Sequence, residues 1–190
     1  MNQSTFSNPP GGLMVWIFIS IECLTFGLFF LTYAYFEGQF SNHFATDKMV
    51  LDSVLATINT LVLVTSGLFM ALAVHQAENA ATKQASMLTA VAGLLGAVFL
   101  ALKLWEYGAK FNAGIHMSTS LFFGFYYFLT LLHFLHVVLG IVILGHVGWH
   151  LWKASDGKTL IPKTKLGACY WHMCDLIWMI LFPLIYLVRQ

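Results

Sequence analysis

The sequence predicts an all-α, polytopic membrane protein, a single bundle of five transmembrane helices spanning residues 1–190 as one domain. Three observations carry this reading. Five stretches are long and apolar enough to cross a bilayer, and only short polar linkers separate them. The composition is 59% hydrophobic and 9% charged, with a mean hydropathy of +0.77, whereas a soluble domain carries about 25% charged residues. About 20 apolar residues, rising about 1.5 Å each, cover a hydrocarbon core of about 30 Å.

The first helix is read over residues 13–36 (LMVWIFISIECLTFGLFFLTYAYF). Pro9, Pro10, Gly11 and Gly12 precede it, as a helix entry should look. The opening MNQSTFSNPPGG lacks the basic n-region of a cleaved signal peptide, so this segment is expected to stay as a helix. The second helix is read over 53–75, where Asn59, Thr60 and Thr65 are able to bridge helices by hydrogen bonds. The third, over 85–107, carries Lys103 and Glu106 at i, i+3 near its end, where an ion pair snorkelling to the interface is expected. The fourth, over 120–150, is long, so it tilts or its last turn leaves the membrane. The fifth covers 166–188.

Small residues at Ala92, Gly96, Gly140, Gly145, Gly148 and Gly67 read as close-packing positions. Trp105, Tyr107, Trp149, Trp152, Tyr170 and Trp171 fall toward helix ends and read as an aromatic belt. Cys23, Cys169 and Cys174 form no CxxC pair and no zinc-type Cys/His spacing. A net charge of +1 leaves no basic face for nucleic acid, which is excluded as a partner.

Loop charges orient the bundle. The N-terminus and the second and fourth linkers share one side, which holds Lys83, Lys153, Lys158, Lys163 and Lys165. The opposite side holds Lys48, Lys110 and Arg189, with Lys103 near a helix end. The bias favours a cytoplasmic N-terminus and an external, periplasmic C-terminus in a bacterial inner membrane.

Ionisable residues inside the spans are the candidate functional groups, because a charge at mid-membrane costs a few kcal/mol at least. Glu22 lies about nine residues into the first helix, roughly 13 Å deep, and Asp175 lies at similar depth on the fifth. A proton-linked role is the leading reading of Glu22, with a hydrogen bond to a neighbouring helix as its alternative. His172, one turn before Asp175, shares a face with it, and a helix-locking contact is the leading reading there. His133 and His136 sit one turn apart near the middle of the fourth helix. Two such histidines can hold one metal, but nothing else in the sequence completes the shell. Haem ligation by a free-standing b-type cytochrome, and a small transporter or proton channel using Glu22 and Asp175, are the rival functions.

Four stretches together resemble subunit III of the haem-copper oxidases. They are LMVWIFISIECLTFGLFF around Glu22, INTLVLVTSGLFMALA in the second helix, LKLWEYGAKFNAGIHMSTSLFFGFYYFLTLLHFLHVVLG across the third and fourth, and YWHMCDLIWMILFPLIYL in the fifth. The resemblance implies a subunit that binds no haem or copper itself. It implies packing on a haem-bearing catalytic subunit I, support of proton uptake and of active-site lifetime, and phospholipid as the one candidate ligand. It places the family's carbodiimide-reactive carboxylate on Glu22, its helix-three glutamate on Glu106, its paired histidines on His133 and His136, and its final-helix pair on His172 and Asp175. Two departures stand out. Longer members carry two further N-terminal helices that frame a lipid-filled cleft, and this chain starts at what is their third. Phe134 replaces the family's usual glycine between the two histidines. Five-helix members occur in quinol oxidases, in cytochrome c oxidases and as nitric oxide reductase accessory proteins, and PPGGL, LALKLWEY and FYYFLTLLH look nearest to the last.

Overall fold

A computed structural model describes residues 12–154 and 158–187. Pro9, Pro10, Gly11, Val188, Arg189 and the Lys158 side chain, which entered the reading above, lie outside the described residues. Six α-helices follow in order: α1 (Leu13–Gln39), α2 (Ser41–Lys48), α3 (Ser53–Glu78), α4 (Thr82–Asn112), α5 (Leu121–Lys153) and α6 (Ile161–Phe182). A 3-10 turn, Lys158–Leu160, precedes α6, and a π-helical segment, Pro183–Leu187, prolongs it. Five of these rods are long and apolar enough to cross a membrane. The sixth, α2, is short and polar, and folds where the sequence suggested only a linker.

The spanning helices run further than apolarity alone indicates, because polar residues close their ends. Asp52 Oδ1 caps α3 by accepting from the N–H groups of Val54 (3.0 Å) and Leu55 (2.9 Å). Ser120 Oγ caps α5 by accepting from Phe123 N–H, and donates to Asp47 Oδ2 at 2.6 Å, tying α2 to the same corner. The α3–α4 turn places Ala80 at φ 58, and Ala81 N–H reaches back to Gln76 C=O at 3.0 Å, closing a Schellman-type end. Pro162 stands in the first turn of α6, which begins at Ile161 rather than near 166. Asp175 is therefore about 21 Å from the start of its helix, deeper along the chain than the expected 13 Å or so. Pro183 has no N–H to continue the α ladder, and the backbone widens there into the π segment.

Helices α3, α4, α5 and α6 pack around one core in a ring, α3 on α4, α4 on α5, α5 on α6 and α6 on α3. Helix α1 lies outside that ring against α6 and α5. It buries a narrow stripe, Phe26, Tyr33 and Glu37, while α6 buries ten residues, among them Trp171 and Trp178. Trp171 is fully buried, which corrects its assignment to the aromatic belt. A Cβ on Gly96 or Gly140 would meet its indole ring within 3.0 Å, so glycines on α4 and α5 make the slot it fills. Its Nε1 donates to Ser66 Oγ on α3 (3.1 Å), and Ser66 in turn donates to Ala92 C=O on α4 (2.7 Å). Trp178 Nε1 donates to Thr60 Oγ1 at 2.9 Å. Thr65, by contrast, bonds its own helix at Leu61 C=O and bridges to no other helix among the described residues. Trp105, Trp149 and Trp152 remain exposed, as a belt requires.

Candidate membrane-embedded polar site

Glu22 projects from the buried stripe of α1 toward α5, where its Oε2 lies 3.1 Å from His136 Nε2. The other ring nitrogen of His136, Nδ1, lies 2.8 Å from Leu132 C=O, one turn earlier on the same helix. A carbonyl accepts and never donates, so Nδ1 carries a hydrogen and a neutral His136 presents Nε2 as a bare acceptor. The contact with Glu22 therefore requires one further proton. It resides either on the carboxyl, which then donates to Nε2, or on Nε2, which then donates to a carboxylate. Glu22 and His136 are thus a two-site holder for a single proton, spanning two helices within the membrane.

Three elements fix this pair. Phe26, one turn after Glu22, sets its ring edge-on to the His136 imidazole, with centroids 5.4 Å apart. The His136 carbonyl accepts from Tyr170 OH on α6 at 3.2 Å and from Cys174 Sγ at 3.8 Å. Neither Glu22 nor His136 is sealed, since their side chains keep 21% and 14% of their exposure.

His133 does not share this site. Its ring faces the core, stacked on Trp178 at 5.0 Å and edge-on to Phe99 at 5.8 Å, and neither ring nitrogen has a hydrogen-bond partner. The two histidines of α5 point to different neighbours, so their spacing does not bring them onto one ligand. Among the described residues no group of three or more His, Cys, Asp or Glu converges on a metal position.

His172 and Asp175 do meet, with Nδ1 to Oδ2 at 3.4 Å on α6. Asp175 lies over Gly67 of α3, where a Cβ would collide with the carboxylate, so glycine leaves the room that the pair occupies. Lys103 and Glu106 also pair, at 2.8 Å, but they do not snorkel: the two residues are 1% and 4% exposed. Glu106 Oε1 accepts from Tyr126 OH (2.9 Å) and Tyr186 OH (2.8 Å). Lys103 Nζ also donates to the Tyr186 hydroxyl at 2.8 Å. The ammonium lies 5.0–5.5 Å from the ring centroids of Tyr107, Tyr126, Trp178 and Tyr186. Aromatic faces and hydrogen bonds together replace the water this ion pair gave up.

The profile of cytochrome c oxidase subunit III matches residues 11–189. The chain belongs to the cytochrome c oxidase subunit III family. Cytochrome c oxidase subunit 3 of Bacillus sp. PS3 is 27% identical, over 91% of this chain and 83% of its own length. Quinol oxidase subunit 3 of Bacillus subtilis is likewise 27% identical, over 91% of this chain and 84% of its own length. A haem-copper oxidase subunit I+III of Aeropyrum pernix is 28% identical, and there the chain spans 22% of the relative's length. The chain is accordingly a multi-pass membrane protein and an accessory subunit of the haem-copper oxidase type.

Within this subunit III, sequence reading missed one buried ion pair. Glu37 and Lys48 fall outside the apolar spans, in a polar stretch of the sequence, yet Lys48 Nζ bonds Glu37 Oε1 in the interior and donates to Leu184 C=O at 3.1 Å. The signal was present: Glu37 falls on the same helical stripe as Glu22, Phe26, Phe30 and Tyr33, four residues beyond the last. The pair ties the C-terminal ends of α1 and α2 to the π segment that prolongs α6.

Proposed function

We propose that this chain packs on the haem-bearing catalytic subunit of a bacterial respiratory oxidase, holds no redox centre itself, and serves the complex as a proton-exchanging flank. Subunit III names in the Bacillus relatives, and the joining of I and III in the Aeropyrum relative, support that partnership. The observation that carries the proton role is the Glu22–His136 contact, in which His136 Nδ1 is committed to Leu132 C=O and a single proton is left between the two side chains. Partly open and held by three helices, the pair is able to take up a proton and pass it to a neighbouring acceptor without a change of fold. Haem and copper are expected in the partner, and the relative reading of cytochrome c, quinol or nitric oxide chemistry rests on that partner's identity.

Orientation follows from the lysines that remain open. Lys83, Lys153 and Lys163 are exposed at the end where α1 begins. At the other end Lys48, Lys103 and Lys110 are buried, with Glu37, Glu106 and Val50 C=O as partners. Among the described residues, open positive charge is thus concentrated on one side, which supports a cytoplasmic N-terminus in the bacterial inner membrane.

The test is Glu22→Gln in the purified complex. A glutamine offers an N–H to Nε2 and keeps the contact, yet carries no exchangeable acid. Assembly and haem content are expected to stay at the parent level while sustained turnover or proton coupling falls. Loss of the whole complex on this substitution would make Glu22 a packing residue and remove the proton role.

A further inference from the structure

The α6 rod exposes a stripe of Leu166, His172, Leu176, Met179 and Ile180 along its outer side. All are apolar except His172, whose side chain is 46% exposed. It stands about 17 Å from the start of the α6 rod at Ile161 and about 23 Å from its end at Leu187, at the middle of the membrane span. Nothing among the described residues bonds its Nε2. If Nδ1–H donates to Asp175, Nε2 is an unmet acceptor; if a protonated Asp175 donates to Nδ1, Nε2–H is an unmet donor. Hydrocarbon can satisfy neither, and an unbonded polar group in lipid costs several kcal/mol. Ionisable residues in spanning helices face protein or a wet cavity for this reason.

The opposite side of the bundle differs. The outward residues of α4 and α5, including Leu94, Val98, Leu135, Leu139 and Val142, are apolar throughout the same depth, which suits lipid. The His172 position is also built rather than incidental. Gly67 makes room for Asp175, and Asp175 holds the imidazole in one orientation.

We infer that the α3–α6 face around His172 is an intersubunit surface, covered in the membrane by a transmembrane helix of another chain that brings a hydrogen-bonding side chain or exposed backbone group to His172 at mid-depth. The bundle interior continues past this chain at that point. The inference rests on the accessory-subunit reading for the existence of a partner, and adds which face the partner takes.

A photo-crosslinking amino acid placed singly at Leu176 or Leu68 on this face, and at Leu94 or Leu135 on the other, tests it in the complex isolated from its own membrane. Crosslinks from Leu176 and Leu68 that map by mass spectrometry to a transmembrane helix of the co-purifying haem subunit, with none from Leu94 and Leu135, are the expected result. An intact complex that crosslinks only through α4–α5, or through neither face, overturns the assignment while leaving the accessory role standing. Absence of any co-purifying membrane subunit overturns both. A second readout uses detergent challenge. His172→Leu is expected to lower subunit retention several-fold relative to His172→Gln, whose amide still hydrogen-bonds. Equal retention in the two variants removes the contact from His172.

Discussion

Two ionic arrangements in this bundle use the same residue chemistry to opposite ends. Near the C-terminal end of α4, Lys103 and Glu106 are enclosed, and every oxygen of the carboxylate has a donor. Nearer the middle, Glu22 and His136 share one contact, stay partly open and leave a proton position undecided. The first is a lock: its charges are neutralised in place, and it binds α4, α5 and α6 through Tyr126 and Tyr186. The second is a single contact that holds one proton between two side chains and leaves both partly open. Enclosure and complete hydrogen bonding remove the freedom that proton exchange needs, so the proposed exchange falls to the pair that keeps it.

Breaking the lock should have the largest effect. Lys103→Met leaves the Glu106 carboxylate buried with two phenolic donors and without its hydrogen-bonded counter-charge. Loss of one partner of a buried pair costs about 3–5 kcal/mol. Thermal unfolding in detergent is expected to show a large drop in midpoint, and the double variant Lys103→Met with Glu106→Gln should regain much of it, since no bare charge then remains. A double variant as unstable as the single would mean that packing of the lysine stem, not its charge, is what matters.

Truncating the holder should come next. Glu22→Ala strips the partner from His136 Nε2, at a cost of about 1–3 kcal/mol for a buried polar group left unsatisfied. Paired with Glu22→Gln, it separates the two roles. The alanine variant should lose midpoint and turnover together, and the glutamine variant should lose turnover alone. Equal midpoints for the two would show that the contact contributes nothing to the fold.

Much of this arrangement was legible in the chain. The five spans follow from apolar length, and Gly96, Gly140 and Gly67 were marked as close-packing positions, because small residues have few other uses at membrane depth. What the spacing lacked was direction. His133 and His136 are one turn apart, yet one turns inward to Trp178 and the other to α1, since three residues of helix advance the side chain by about 300° and not a full turn. Trp171 reads as a belt residue because a helix starting at 166 puts it near the end, whereas the α6 rod begins at Ile161 and carries it inward. The Lys103–Glu106 pair was seen, but its burial depends on Tyr126 and Tyr186 arriving from two other helices, and no local pattern reports that. Glu37 and Lys48 show the same limit: only the short helix α2 turns Lys48 back onto α1.

The smallest effect sharpens the comparison from its exposed side. Lys165 Nζ lies 2.7 Å from Glu78 Oε1, a better distance than the Glu22–His136 contact. Its side chains are 34% and 44% exposed, where water and salt screen the charges and both long side chains must be ordered to hold the pair. Lys165→Ala is therefore expected to leave the unfolding midpoint within experimental error at physiological salt, although it ties the end of α3 to the start of α6. A clear loss of stability would mean that this end of the bundle is less hydrated than its exposure implies. If the midpoint holds, three ion pairs of similar length will have ranked by enclosure rather than by distance, and the half-open one will be the pair free to work.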